Sequence, residues 1–124
     1  MPRISFRSGL VRGVPVVSAP DRLDAGNAHL LHAAITRWAV HGYATLVVDM
    51  TATRLCDSAA FKVLLRAHRR AQAEGGELRV VVPSKLRLLA ASGHDGLMRR
   101  FGSVAGAVAE LPAVAIEPIS GLTT

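Results

Sequence analysis

A short apolar run, Leu46-Val47-Val48, constrains this chain more than any other stretch. Its branched side chains follow one another without polar alternation, as in a strand buried on both faces. Asp49 and the polar segment 50–54 then lead the chain out of the sheet. Asp57 is placed to cap a helix, because its carboxylate can accept from the free amides of the first turn. Ala60, Val63, Leu64, Ala67 and Ala71 recur at helical spacing and mark a core stripe. Lys62, Arg66, Arg69 and Arg70 fall on the wet side, and Gly75-Gly76 stops the helix. A second apolar run, 78–82, follows at once. A strand–loop–helix–strand unit of this kind implies two parallel strands and a right-handed crossover.

The flanking sequence extends this unit at both ends. Residues 3–7 and 14–18 are expected to pair as an N-terminal hairpin across 9–13, with Pro15 at a strand start or a sheet edge because it cannot donate to a ladder. Asp24 is expected to cap a helix running to about His41, with Leu31, Ala34, Ile35 and Trp38 inside and Gly42 as its stop. After the central unit, Ser84 opens a short helix that buries Leu86, Leu89 and Ala90 and ends at Gly93. Residues 97–101 supply a last strand. Val104, Ala107, Val108 and Leu111 stripe a final helix that Pro112 terminates. The expected fold is therefore α/β: a mixed sheet of about four or five strands, hairpin first and parallel β-α-β units after it, with about four helices. Residues 1–112 form the domain and 113–124 a tail.

Composition narrows the classes of function. Half of the 124 residues are hydrophobic but only 4% are aromatic, so the core is aliphatic. One cysteine permits no internal disulfide, and no paired Cys/His spacing suggests zinc. There is no signal-like N-terminal run and no apolar stretch of about 18 residues, so the expectation is a cytoplasmic protein without a membrane span. The net charge of +6 comes mainly from arginine, which is 13 of the 15 basic residues. Those arginines are dispersed and lack interleaved aromatics, which argues against nucleic acid and for a basic surface that attracts an acidic partner.

The catalytic candidates have simpler explanations. His29 and His32 share a helix face at metal-binding spacing but have no third ligand nearby in sequence. Cys56 precedes Asp57, whose charge raises rather than lowers a thiol pKa, and buried structural cysteines are common. Asp49 and Asp57 resemble a carboxylate pair, yet loop hydrogen bonding and helix capping account for both. Gly75-Gly76 sits at the wrong end of its helix to cradle a phosphate. No enzyme, cofactor or metal site is expected.

The segment VVDMTATRLCDSAAFKVLL, with the GG turn and LRVVVPS after it, resembles the central signature of STAS domains (sulfate transporter and anti-sigma factor antagonist). In that family a strand ends in Asp, and Asp-Ser-Ser/Thr-Gly opens the next helix. VVSAPDRLDAGNAHLL is similar to the family's first long strand and Gly-x-Leu-Asp motif, with Asp21 where glycine is usual, and SGHDGLMRRF to its Ser/Thr-Gly-Leu turn. The resemblance implies an anti-sigma factor antagonist working by partner switching. Its partner would be an anti-sigma factor that is also a serine kinase of the histidine-kinase-like ATPase fold. Phosphorylation at the helix start would put roughly −1.5 to −2 charges into the contact surface and release that partner.

The chain departs from this pattern at the switch. Ala59 stands at the usual phosphoacceptor and Ala60 at the glycine, so the ordinary acceptor hydroxyl is missing. Ser58 matches the family's first serine, about 100° away around the helix, and is the remaining acceptor candidate, ahead of Thr51 and Thr53. The expected partner-binding surface comprises Thr51, Thr53, Arg54, Asp57, Ser58, Ala59, Ala60, Lys62 and Arg66. Phe61 is either core or a partner-facing apolar patch. The alternatives are a phosphorylation-independent STAS scaffold, for example in a lipid-transport ATPase complex, or a small-ligand domain with a pocket beside the loop 50–58.

Overall fold

The computed structural model describes residues 6–82 and 98–109. Within them a five-stranded sheet runs in the order β1(Arg7–Val11), β2(Val14–Ser18), β4(Leu46–Asp49), β6(Leu78–Val81), β7(Arg99–Phe101). Only the first pair is antiparallel; β2–β4, β4–β6 and β6–β7 are parallel. The Leu46-Val47-Val48 run thus lies at the sheet's centre, between two parallel neighbours, as expected. Two short strands, β3(Arg22–Leu23) and β5(Leu55–Cys56), pair in a separate parallel ribbon that the sequence did not announce. The helices among the described residues are α1(Ala28–Val40), α2(Ser58–Ala73) and α3(Val104–Ala109).

Alternation along the strands divides the core in two. Val17, Val48 and Val80 stand in register on one face, packed with Leu31 and Ile35 of α1 and Leu64 of α2. Their neighbours Val16, Val47 and Val81 point the other way, to Ala107 and Val108 of α3. Arg79 shares that second face: it is buried, ion-paired to Glu77 at 2.8 Å, and donates to the Ala107 carbonyl at 2.7 Å.

Several boundaries differ from expectation. The hairpin turn is the two residues Arg12 and Gly13, at φ 53° and 80°, so the strand that pairs across it is Arg7–Val11; residues 3–5 of the expected strand 3–7 lie outside the described residues. Positive φ at both central positions is what a two-residue hairpin turn requires to match strand twist. Pro15 sits near the start of an interior strand opposite Leu10. The ladder to β4 begins only at Val16, so its missing N–H costs little there. The N-cap position of α1 is Asn27, not Asp24, and the Asn27 side chain makes no capping hydrogen bond to the helix. The Asp24 carbonyl accepts from Asn27 and Ala28, its carboxylate accepts from Gly26, and Asn27 reaches back to Asp24 and Arg22. Those bonds form a turn first and delay the helix by one turn.

The α2 stripe is present but wider than five positions. Ala60, Leu64 and Ala71 are buried, Val63 and Ala67 half-buried, and Phe61, Leu65 and His68 are buried beside them. Phe61 is therefore core. His68 accepts the Leu78 amide at 3.1 Å, tying α2 to the strand that follows it. At Gly76 a side chain would collide with the Ala44 carbonyl, so the α2–β6 turn requires glycine for space. Of the expected strand 97–101, Arg99–Phe101 is strand and Met98 precedes it as a bend, while residue 97 lies outside the described residues. The expected helix after Ser84, the positions Leu111 and Pro112, and the tail 113–124 lie outside the described residues.

Candidate functional site

The corner expected to carry function is where β4 ends and α2 begins. Asp49, at the strand end, accepts the Thr51 amide at 3.0 Å and the Thr51 hydroxyl. Met50 goes back inside and donates to the Val81 carbonyl. The Thr53 hydroxyl donates 2.8 Å to the Pro20 carbonyl, and the Arg54 and Leu55 amides both reach the Asp21 carbonyl. The chain then pairs through β5 with β3 and arrives at Asp57.

Asp57 holds the corner together. One carboxylate oxygen accepts the Ala60 amide at 3.0 Å, capping α2 as its position predicted. The other accepts the Ala25 amide at 3.1 Å, and the Asp57 amide donates to the Leu23 carbonyl. Segments 21–27 and 51–57, distant in sequence, are thereby laced into one surface at the first turn of α2.

The structure sorts the nine expected contact residues. Thr51, Arg54, Ser58, Lys62 and Arg66 are exposed, and Asp57 and Ala59 are half-buried. Thr53 and Ala60 are corrected: at 2% and 0% exposure neither offers its side chain to a partner. Thr53 is spent on the Pro20 carbonyl, which also removes it as a phosphoacceptor, and Ala60 faces the core. Arg66 is exposed but lies eight residues along α2 from Ser58, roughly 12 Å down the axis. Sequence reasoning missed two contributors. Leu55 is an exposed apolar side chain beside this turn, and the 21–27 loop adds exposed Asp21, Arg22, Ala25 and Gly26. Apart from the double acceptor capacity of Asp57, no sequence signal joins these segments, since two-residue strands have no readable period.

The catalytic candidates can be placed as well. Cys56 is half-buried, and its thiol is pushed up to about 12 from 9.0, first by burial and then by the charge of Asp57. The neighbouring acid is thus the smaller cause, not the main one. His29 and His32 are both exposed, and no cluster of three metal-ligating side chains occurs among the described residues. The small-ligand alternative placed a pocket beside loop 50–58; three clefts among the described residues lie elsewhere, one between α1 and α2 and two beside α1. No helix among the described residues is long and apolar enough to cross a membrane.

Comparison with known proteins matches this architecture. Residues 10–107 match the family model of the STAS domain. No curated protein matches the sequence significantly. Among solved structures, an anti-sigma factor antagonist from Mycobacterium paratuberculosis superposes with a TM-score of 0.74 at 24% identity, over 84% of this chain and 90% of that one. An anti-sigma-factor antagonist (STAS) domain protein from Planctomyces limnophilus gives 0.74 at 16% identity, over 84% and 95%. The unphosphorylated anti-sigma factor antagonist SpoIIAA, a Bacillus protein, gives 0.70 at 18%, over 84% and 93%. At these identities the likeness is one of fold.

Proposed function

The chain belongs to the STAS domain family, and on that premise we propose that it is a non-enzymatic protein-binding module of a partner-switching pathway, acting as an anti-sigma factor antagonist. The partner is an anti-sigma factor that is also a serine kinase of the histidine-kinase-like ATPase fold. Several of the chain's structural neighbours are anti-sigma factor antagonists, which supports this class of partner. The observation that carries the reading is the corner itself. Thr51, Arg54, Leu55 and Ser58 are exposed on a frame fixed by the two hydrogen bonds of Asp57.

At this corner Ala59 occupies the place of the family's usual acceptor, so the ordinary phosphorylation has no oxygen to modify. The partner is accordingly bound in the presence of ATP as well as in its absence. The same alanine supports a second reading, a phosphorylation-independent scaffold such as a subunit of a lipid-transport ATPase complex. Pull-down separates the two, capturing an anti-sigma kinase in one case and a transport ATPase in the other.

The direct test is incubation with the kinase and ATP, followed by intact-mass measurement and titration of the complex. The expected result is a stable complex and no added phosphate. Ala59→Asp is expected to weaken binding at least tenfold, because it puts an uncompensated charge into the contact, and a factor of ten corresponds to about 1.4 kcal/mol. Ala59→Ser should gain a phosphate and with it ATP-dependent release. Unchanged affinity in Ala59→Asp removes this corner as the contact site, and phosphate on Ser58 of the unaltered protein moves control to that residue.

A further inference from the structure

A cleft of about 280 Å³ opens between α1 and α2, towards their C-terminal ends. Its floor is apolar: Ile35, Leu46 and Ala71 are each under a tenth exposed. The cleft exists because the helix surfaces that face each other carry Ala39, Ala67 and Ala71, too short to fill the space between the axes. Unfilled apolar surface of this kind gains by taking up an apolar group. Thr36 lines the same cleft, and its buried hydroxyl has no hydrogen-bond partner among the described residues.

The charged part of the lining is Arg66, Arg70 and the carboxylate of Glu74 from α2, two cations to one anion, with His32 from α1 beside them. Arg66 and Arg70 lie four residues apart, so they stand on one face of α2. Arg66 has no ion-pair partner among the described residues. Arg70 meets Glu74 only at 4.0 Å with both side chains about half exposed, a pairing worth little. Two guanidiniums with free donors make a fork suited to a carboxylate. We infer that this cleft binds a small amphipathic carboxylate, its hydrocarbon on the Ile35–Leu46–Ala71 floor and its head between Arg66 and Arg70. A partner helix, about 10 Å across, does not fit the volume. The site is separate from the first turn of α2, since Arg66 and Arg70 lie eight and twelve residues along the helix from Ser58, roughly 12 and 18 Å.

The structure supplies its own reporter. Tyr43 lines the cleft and packs edge-on against Trp38, the single tryptophan, with ring centroids 5.3 Å apart. The test titrates the full chain with octanoate, and with octanol and octylammonium as probes of equal chain length, following Trp38 emission and heat. Octanoate is expected to saturate and to bind at least tenfold tighter than either comparator. The Arg66→Glu/Arg70→Glu variant should lose at least tenfold for octanoate with octanol unchanged, and Ala67→Leu should abolish binding of both by filling the cleft. Circular dichroism and thermal melting establish that both variants are folded. Equal binding of octanoate and octanol, or octanoate binding that survives Ala67→Leu, overturns the assignment.

Discussion

Asp57 gives the sharpest test of how the corner is built, because its two oxygens do different work. The oxygen that accepts the Ala60 amide at 3.0 Å caps α2, and losing such a cap costs about 1 kcal/mol. A carboxylate at the helix N-terminus adds roughly 0.5 kcal/mol through the helix dipole. The second oxygen accepts the Ala25 amide at 3.1 Å in a solvent-exposed setting, which contributes about 0.5 kcal/mol. Asp57→Ala loses all three contributions, about 2 kcal/mol. Asp57→Asn keeps the cap but has only one carbonyl oxygen, and its amide group is a donor facing the Ala25 donor. It should lose about 1 kcal/mol. In urea unfolding at pH 7 followed by circular dichroism, with a slope near 2 kcal/mol per molar, the midpoints fall by about 1 M and 0.5 M. Partner affinity is expected to fall in both variants, since the 21–27 loop loses its tether. If Asp57→Asn is as costly as Asp57→Ala, or if neither moves the midpoint, the division of labour between the two oxygens is wrong.

Cys56 should react slowly with iodoacetamide at pH 8. Raising its pKa from 9.0 to about 12 lowers the thiolate fraction about a thousandfold, higher intrinsic nucleophilicity restores about thirtyfold, and a net slowing of about thirtyfold remains against the urea-unfolded chain. Equal rates would show the thiol to be unperturbed. The same shift has a sign for stability: above pH 9 the unfolded chain releases the thiol proton while the folded one keeps it until about 12, so stability contributed by this group is lost as pH rises through that window. Gly76→Ala, which would drive a methyl into the Ala44 carbonyl, should cost at least about 3 kcal/mol, whereas Gly75→Ala, a matter of φ +88° alone, should cost about 1. Comparable urea midpoints for the two variants would contradict the packing argument. Glu77→Gln should cost about 2 kcal/mol, because it strips the counter-charge from buried Arg79, discounted for the 22% exposure of Glu77. An unfolding midpoint within 0.2 M of the parent would mean that the Ala107 carbonyl and the Phe101 ring already satisfy that guanidinium.

What could be read from the sequence was whatever repeats with the period of its own structure. Leu46-Val47-Val48 and the Ala60-to-Ala71 stripe are buried by a sheet and by a helix face, and burial leaves its period in the residues. β1 is exposed at all five positions, so it carries no alternation, and its register is set by the Arg12-Gly13 turn. Asp24 was misread as the cap of α1 because its carboxylate and carbonyl, with the Asn27 side chain reaching back to Arg22, build a turn ahead of the helix that local sequence does not distinguish from a cap. Phe61 and His68 joined the core because α2 packs on α1 as well as on the sheet, which widens its buried face beyond one stripe. Thr53 and Ala60 were misplaced for the converse reason: nearness in sequence to a cap does not say which side of the turn a side chain takes.

That last distinction separates the frame of the corner from its surface. The frame consists of Asp57 with the Leu23 carbonyl and the Ala25 amide, the Thr53 hydroxyl on the Pro20 carbonyl, and the Arg54 and Leu55 amides on the Asp21 carbonyl. Ser58 and Ala59 follow the cap, one exposed and one half-buried, and neither side chain is among the hydrogen bonds that hold the turn. A hydroxyl can therefore be absent at position 59, or restored there, without disturbing the geometry that presents it. For that reason Ala59→Ser should fold as the parent does and differ only towards a kinase, whereas Asp57→Asn should weaken fold and docking together.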